Sequence, residues 1–251
     1  MANKFKQLLS IGTNAKTVKG DKYGFMTGVM YLAPAKLSGF QVCSMAAIAN
    51  CEEACLYTAG RGAFNSTQIA RIAKTQWFFK ARQEFILNVV WSIKALIRKA
   101  KRANLTPLVR LNGTSDIQWE HVTFEYEGKQ TTIFELFPDV QFYDYTKIAN
   151  RTDLPANYDL TFSYSGVIEY QKYVNQAIAN GMRIAVVFRK QSEIPATFLN
   201  MVCVDGDNTD IRHLDNQGVV VALYAKGKAK KDTTGFVVDA HRKVFELKLA
   251  A

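Results

Sequence analysis

The chain is poor in everything that would set it apart from ordinary globular proteins. Five prolines and fifteen glycines in 251 residues exclude a collagen-like tract or a low-complexity linker. No uncharged apolar run reaches the roughly 18 residues that a membrane-spanning helix requires. The N-terminal MANKFKQLLSIGTNAKTVKGDK has lysines but no continuous apolar stretch before a small-residue cleavage site. We therefore expect no membrane partner and a cytoplasmic location. The three histidines, His121, His213 and His241, fall in no metal-ligand spacing. G-x-S-x-G, H-E-x-x-H, the P-loop and the kinase signatures are missing, which argues against serine hydrolases, zincins and nucleoside triphosphatases. GRGAFN lacks the third glycine and the preceding strand of a dinucleotide-binding turn.

What is present is a chain with 48% apolar and 22% charged residues, enough for one sizeable core. Its charge is lopsided: 32 Lys and Arg against 22 Asp and Glu leave +10, which favours polyanionic partners such as nucleic acid. Between Arg61 and Arg110 eleven cations meet a single acid, Glu84, and are interleaved with Trp77, Phe78, Phe79, Phe85 and Trp91.

Periodicity gives alternating strand and helix signals without a break. GFMTGVMYL (24–32) is the first strand. Helical spacing then runs from Gln68 to about Ala103, capped by Ser66 or Thr67, as one long helix or two abutting ones with a basic outer face. Strands follow at LVRLNGTSD, VQFYDYTK, YDLTFSYS, MRIAVVFRK, MVCVDGD and GVVVALYAKGKAK, with a hairpin in HVTFEYEGKQTTIF turning at Glu127 and Gly128. A helix from Ile168 to Asn180 closes on Gly181, and a short one is expected around Pro195 to Asn200. Continuous apolar strands separated by helices predict a parallel sheet covered on both faces. The size suits a TIM-like (β/α) barrel, complete or partial. The reading is one domain over 1–251, with an N-terminal extension at 1–23, a barrel at 24–238 and a tail at 239–251.

In such folds chemistry sits where the strands end. The second strand delivers Arg110, Asn112, Ser115 and Asp116; the third Tyr143, Asp144, Tyr145, Thr146 and Lys147; the fourth Ser163 and Ser165; the fifth Arg189 and Lys190. The sixth delivers Asp205, Asp207 and Asp210, and the seventh Lys226, Lys228 and Lys230. Polar loops are the rule anywhere, but convergence on one rim would couple these groups for acid/base or nucleophilic work. Asp116 and Asp144 are the leading catalytic candidates, expected to point into the barrel mouth, with Asp205 and Asp207 next. The DGDNTD run lacks the glutamate and flanking helices of a calcium loop.

Cys43, Cys51 and Cys55 form C-x7-C-x3-C after the first strand, where radical-SAM enzymes carry a more tightly spaced three-cysteine cluster motif. A zinc or Fe–S site there needs an open position or a fourth ligand such as Cys203. The alternative is burial, with AAIANCEEAC forming one helix that sets Cys51 and Cys55 on one face.

The strings CEEACLYTAGRG, VRLNGTSD, PDVQFYDYTK, YDLTFSYS and AKGKAKKDTTGFVV resemble the gene product 88 family of phage and plasmid proteins, over about residues 24 to 238. The resemblance carries Cys43, Cys51 and Cys55; Arg110, Ser115 and Asp116; and Pro138, Tyr143, Tyr145, Thr146 and Lys147. It implies a phage-type protein working in the host cytoplasm. In architecture the chain is similar to guanine transglycosylases and their phage DNA-modifying relatives, transferases that exchange guanine for a 7-deazaguanine base. That likeness implies an early aspartate as acid/base, Asp116 or Asp144, and a late one as nucleophile, Asp205 or Asp207. The leading expectation is thus a phage DNA-modifying enzyme that takes a small-molecule base. The rivals are an Fe–S enzyme and a non-catalytic phage protein that binds nucleic acid or inhibits the host.

Overall fold

The computed structural model describes residues 7–12 and 15–239. In chain order the strands are β1 (Leu9–Ile11), β2 (Phe25–Met30), β3 (Thr106–Arg110), β4 (Thr123–Tyr126), β5 (Lys129–Thr132), β6 (Gln141–Thr146), β7 (Tyr158–Ser163), β8 (Ile184–Phe188), β9 (Thr197–Phe198), β10 (Met201–Asp205) and β11 (Val220–Tyr224). The helices are α1 (Ala15–Lys19), α2 (Asn65–Lys80), α3 (Arg82–Arg102), α4 (Ile133–Leu136) and α5 (Gln171–Ala179). No helix among the described residues is long and apolar enough to cross a membrane.

One nine-stranded sheet carries the fold, in the order β1-β2-β3-β6-β7-β8-β11-β10-β9. Its seven central strands run parallel, and β1 and β9 pair antiparallel at the two edges. Strand order follows chain order from β1 to β8, as in a barrel, but β1 and β9 do not pair with each other and the sheet stays open. The expected barrel closure is therefore corrected to an open α/β sheet. Residues 9–11, expected in an extension, supply one of its edges.

Side chains alternate between the two faces of a strand. Val109, Phe142, Leu160, Phe162, Ile184 and Val186 face the helices, where Phe85, Val89, Ile93 and Leu96 of α3 and Val174 of α5 meet them in the main core. The apolar positions of α3 recur every three or four residues, so one stripe is buried; each fully buried side chain contributes about 1.5 to 3 kcal/mol. Gly28 lets α3 approach: a Cβ there would lie 2.9 Å from Leu96 Cδ2. On the opposite face Leu108 and Tyr143 pack against Ile211. That contact belongs to segment 206–217, which leaves the end of β10 and returns across this face before β11 begins. It supplies Asp210 to Arg110 of β3 and the Asp215 carbonyl to Arg183, just ahead of β8. The chain itself thus fills the face that would line the interior of a barrel.

Of the two expected readings, one long helix or two abutting ones, the second holds: the helices part at Ala81, whose φ of −145° and ψ of 61° leave the helical region. Phe64 occupies the N-cap of α2 without a side-chain cap, in place of Ser66 or Thr67. The hairpin turns at Glu127 (φ 51°) and Gly128 (φ 77°), as a tight antiparallel connection demands. The helix expected around Pro195 to Asn200 is instead the β9–β10 hairpin, with Leu199 and Asn200 both at positive φ.

Candidate functional site

All seven parallel strands end on one edge, with Arg110 the last residue of β3, Asp144 two residues before the end of β6 and Arg189 just past β8. The loop after β2 folds over this rim. Met30 accepts from Gly113 N–H (2.9 Å), Val42 from Asp116 N–H (2.8 Å), and Ala49 from the Ser165 hydroxyl (2.8 Å). Cys43, Cys51 and Cys55 hang from this loop. The segment Ser44–Asn50 makes turns, so Cys51 and Cys55 do not share a helix face.

The three thiols lie within the electrostatic reach of one amine, that of Lys147. Its Nζ donates to Ser163 O (3.1 Å), Ser163 Oγ (3.2 Å) and Tyr164 O (3.4 Å), between the rings of Tyr170 and Phe236. Burial lowers the Lys147 ammonium, and the fields of Cys51, Asp116, Cys55 and Cys43 act against that shift. Burial pushes the Cys43 thiol up to about 12 and Cys55 to about 11, and raises Cys51. All four cysteines are free. Among the described residues no group of three His, Cys, Asp or Glu surrounds a point where a single metal ion would sit.

Asp116 lies in the same neighbourhood. Its Oδ2 accepts from Lys147 N–H at 2.7 Å and its Oδ1 pairs with Arg151 at 3.1 Å, while Arg151 also holds Glu120 at 2.6 Å. Burial raises the Asp116 carboxyl, opposed chiefly by Arg151.

The remaining sequence candidates divide by what they touch. Asp144 is fully buried on the helix-facing side, where it accepts from Leu111 N–H (3.2 Å), Asn112 N–H (2.9 Å) and Tyr158 OH (3.1 Å). Burial raises it to about 7 against Arg110 and these donors. The Asn112 side-chain Oδ1 accepts from Ser115 Oγ, Ile117 N–H and Trp119 Nε1, so Asn112 and Ser115 brace their own loop. Tyr143 is buried under segment 206–217, its hydroxyl 3.5 Å from Thr27 Oγ1. Arg189 donates to the carbonyls of Ala229, Lys230 and Asp232. Asp205 accepts from Asp207 and Asn208 N–H, and Asp207 binds Tyr224 N–H and Lys226 Nζ (2.6 Å). Lys228 and Lys230 are exposed on the turn Gly227–Lys231.

Sequence reasoning missed Arg71 and Lys74, assigned above to a basic outer face. Both are buried on the inner side of α2, and Arg71 lies in the field of Cys55. Their three-residue spacing, next to Thr75 and Phe78 on the same buried side, was the available signal.

A family model described as Gene product 88 matches residues 4–240. The chain belongs to the Gene product 88 family. No curated protein and no solved structure matches it. Within this Gene product 88 chain Asp116 bonds the Lys147 N–H, and the three cysteines, distant in sequence, lie in the field of the Lys147 amine.

Proposed function

We propose that this Gene product 88 protein binds nucleic acid, DNA in the first place, at the rim where the strands end, and modifies a base there. The observation that carries this reading is the rim's exposed charge. Lys228, Lys230 and Lys231 stand on the turn Gly227–Lys231, which packs against the turn Leu56–Thr58, and exposed Arg61 and Phe64 follow close by in the chain. Cations hold phosphates, and an exposed aromatic offers a stacking surface for a base. The exposed Lys94, Arg98, Lys99, Lys101 and Arg102 of α3 lie toward the opposite end of the sheet, since α3 leads down to the start of β3. They attract a polyanion at long range.

The finer reading is transfer of a 7-deazaguanine base into DNA in exchange for guanine, on a sheet read as an incomplete barrel. A flipped base would meet Asp116 as acid/base, with Asp205 or Asp207 as nucleophile. The support is the barrel-like strand order and the place of Asp116 beside Lys147. Nucleoside analysis of DNA from phage with and without the gene tests it, and an unchanged profile rejects it. The three cysteines in the field of Lys147 are the ground for a second reading, an Fe–S enzyme. Iron content and colour of anaerobically purified protein decide that one.

A further inference from the structure

Among the described residues the other buried arginines come with carboxylates, and the Lys147 amine is held by carbonyl and hydroxyl oxygens. Arg110 has Asp210, Arg151 has Asp116 and Glu120, Arg183 has Asp159, and Arg212 has Asp215. Arg71 and Lys74 break the rule. They stand three residues apart on the buried side of α2, 8% and 9% exposed, and no carboxylate among the described residues pairs with either. Arg71 Nε and Nη1 are buried without a hydrogen-bond partner, and the guanidinium lies over the Tyr31 ring, 4.7 Å from its centroid. Burying one unpaired charge is strongly unfavourable, and burying two of the same sign side by side is worse. A fold that keeps such a pair is missing a negative charge at that place.

We propose that Arg71 and Lys74 form a binding site for a phosphate group, seated beside Cys55 under the loop that follows β2. A planar guanidinium fork with an adjacent ammonium is a donor set suited to phosphate, and two cations match its double charge. The position is fixed from both sides. Thr75 Oγ1 accepts from Ala33 N–H at 2.9 Å, which ties α2 to the chain just beyond β2. Above the pair the turn Gly60–Ala63 comes so close that a Cβ on Gly62 would lie 3.2 Å from Arg71 Nη1. Burial, and then Arg71, push the Lys74 ammonium down to about 8, so a bound dianion would restore its ordinary affinity for the proton.

The phosphate belongs either to a small phosphorylated ligand or to a nucleic-acid backbone, and the experiment separates the two. The full chain is freed of phosphate, and thermal unfolding is followed as inorganic phosphate replaces chloride at constant ionic strength. The expected result is a rise in Tm that saturates with phosphate, as for any ligand bound only by the folded state. The rise is absent from Lys74→Met and Arg71→Gln, while Lys74→Met without phosphate melts at or above wild type because a buried repulsion is gone. Addition of a single-stranded oligonucleotide then assigns the source. If it abolishes the phosphate response, the site takes a backbone phosphate; if the two bind independently, it takes a small ligand. No rise in wild type, or an equal rise in Lys74→Met, overturns the proposal. So does a lower Tm of Lys74→Met without phosphate, which would reveal a counter-ion within the fold. Inorganic phosphate needs no nucleic acid to bind, so this site and the nucleic-acid reading fail separately.

Discussion

Arg110 Nη1 donates to Asp210 Oδ2 at 2.5 Å across a hundred residues of chain, and this buried contact ties β3 to the segment that covers the sheet face opposite the helices. Asp144 Oδ1 lies 3.8 Å from Arg110 Nε, so the guanidinium sits between two carboxylates. Removing one partner of a buried pair leaves a charge without compensation. Asp210→Asn is therefore expected to lower the unfolding free energy by about 3 kcal/mol. Urea titration measures it, and a loss below about 1 kcal/mol, the worth of a surface pair, would show that Asp210 does not anchor the segment.

Asp144 predicts a pH dependence. Its carboxyl is held at about 7 by burial, above the ordinary value of about 4. Between about pH 4 and 7 the folded chain therefore keeps a proton that the unfolded chain has released. The stabilisation is full below about pH 4 and is lost as pH rises to 7. Asp144→Asn has no such titration. The stability of wild type relative to this variant should fall with rising pH, by at most about 1.4 kcal/mol per unit. Parallel urea curves from about pH 5 to 8 read the gap, and a constant gap contradicts the assignment.

The nucleic-acid reading assigns the contacts to particular lysines. Lys228→Glu with Lys230→Glu should reduce the slope of log K against log salt by about 2, since each phosphate contact contributes about 0.9. Lys101→Glu with Arg102→Glu should weaken binding at low salt while leaving most of the slope. Filter binding or anisotropy across a salt series distinguishes them, and the reverse ranking would move the interface to α3.

The thiols should be quiet. With Cys43 at about 12 and Cys55 at about 11 by burial, little thiolate exists at neutral pH, and the thiolate is the reactive form. Iodoacetamide at about pH 7.5 should label both far more slowly in the folded than in the urea-unfolded chain, as read by peptide mass spectrometry. Fast labelling would mean that Lys147 stabilises a thiolate.

Asp116→Asn should leave the protein folded, because Arg151 keeps Glu120 at 2.6 Å and an amide oxygen can still accept from Lys147 N–H. On the base-modification proposal, the modified nucleoside should disappear from phage DNA when this variant is the only copy. Unchanged modified nucleoside would remove Asp116 from the mechanism.

The strands were legible because their apolar runs are continuous: GFMTGVM, PLVR, QFYDYT, YDLTFS, IAVVF, MVCVD and VVALY all lie in or across strands of the parallel sheet. The hairpin was legible because Glu127 and Gly128 satisfy a turn locally. Closure was not, because an open edge depends on what covers the inner face, and residues 206–217 look like any polar loop until Ile211 is seen against Tyr143. The site was half legible. Strand-end position found Lys147, Asp116 and the cysteines, but it could not separate Asp144, whose side chain points toward the helices, from residues on the rim. Arg71 and Lys74 stayed hidden because charge alone suggests exposure, and only their spacing shared with Phe78 indicates burial.

The position of β11 between β8 and β10 has a consequence for biosynthesis. A ribosome delivers β9 and β10 before β11, yet β10 reaches the parallel sheet only through β11. Until about residue 224 has emerged, β8 offers an unpaired, apolar edge to any neighbouring nascent chain, and the β9–β10 hairpin waits without a partner. Translation that stops after residue 218 should therefore yield insoluble product rather than a smaller stable protein. About the last eighth of the chain thus covers an edge that the rest leaves open.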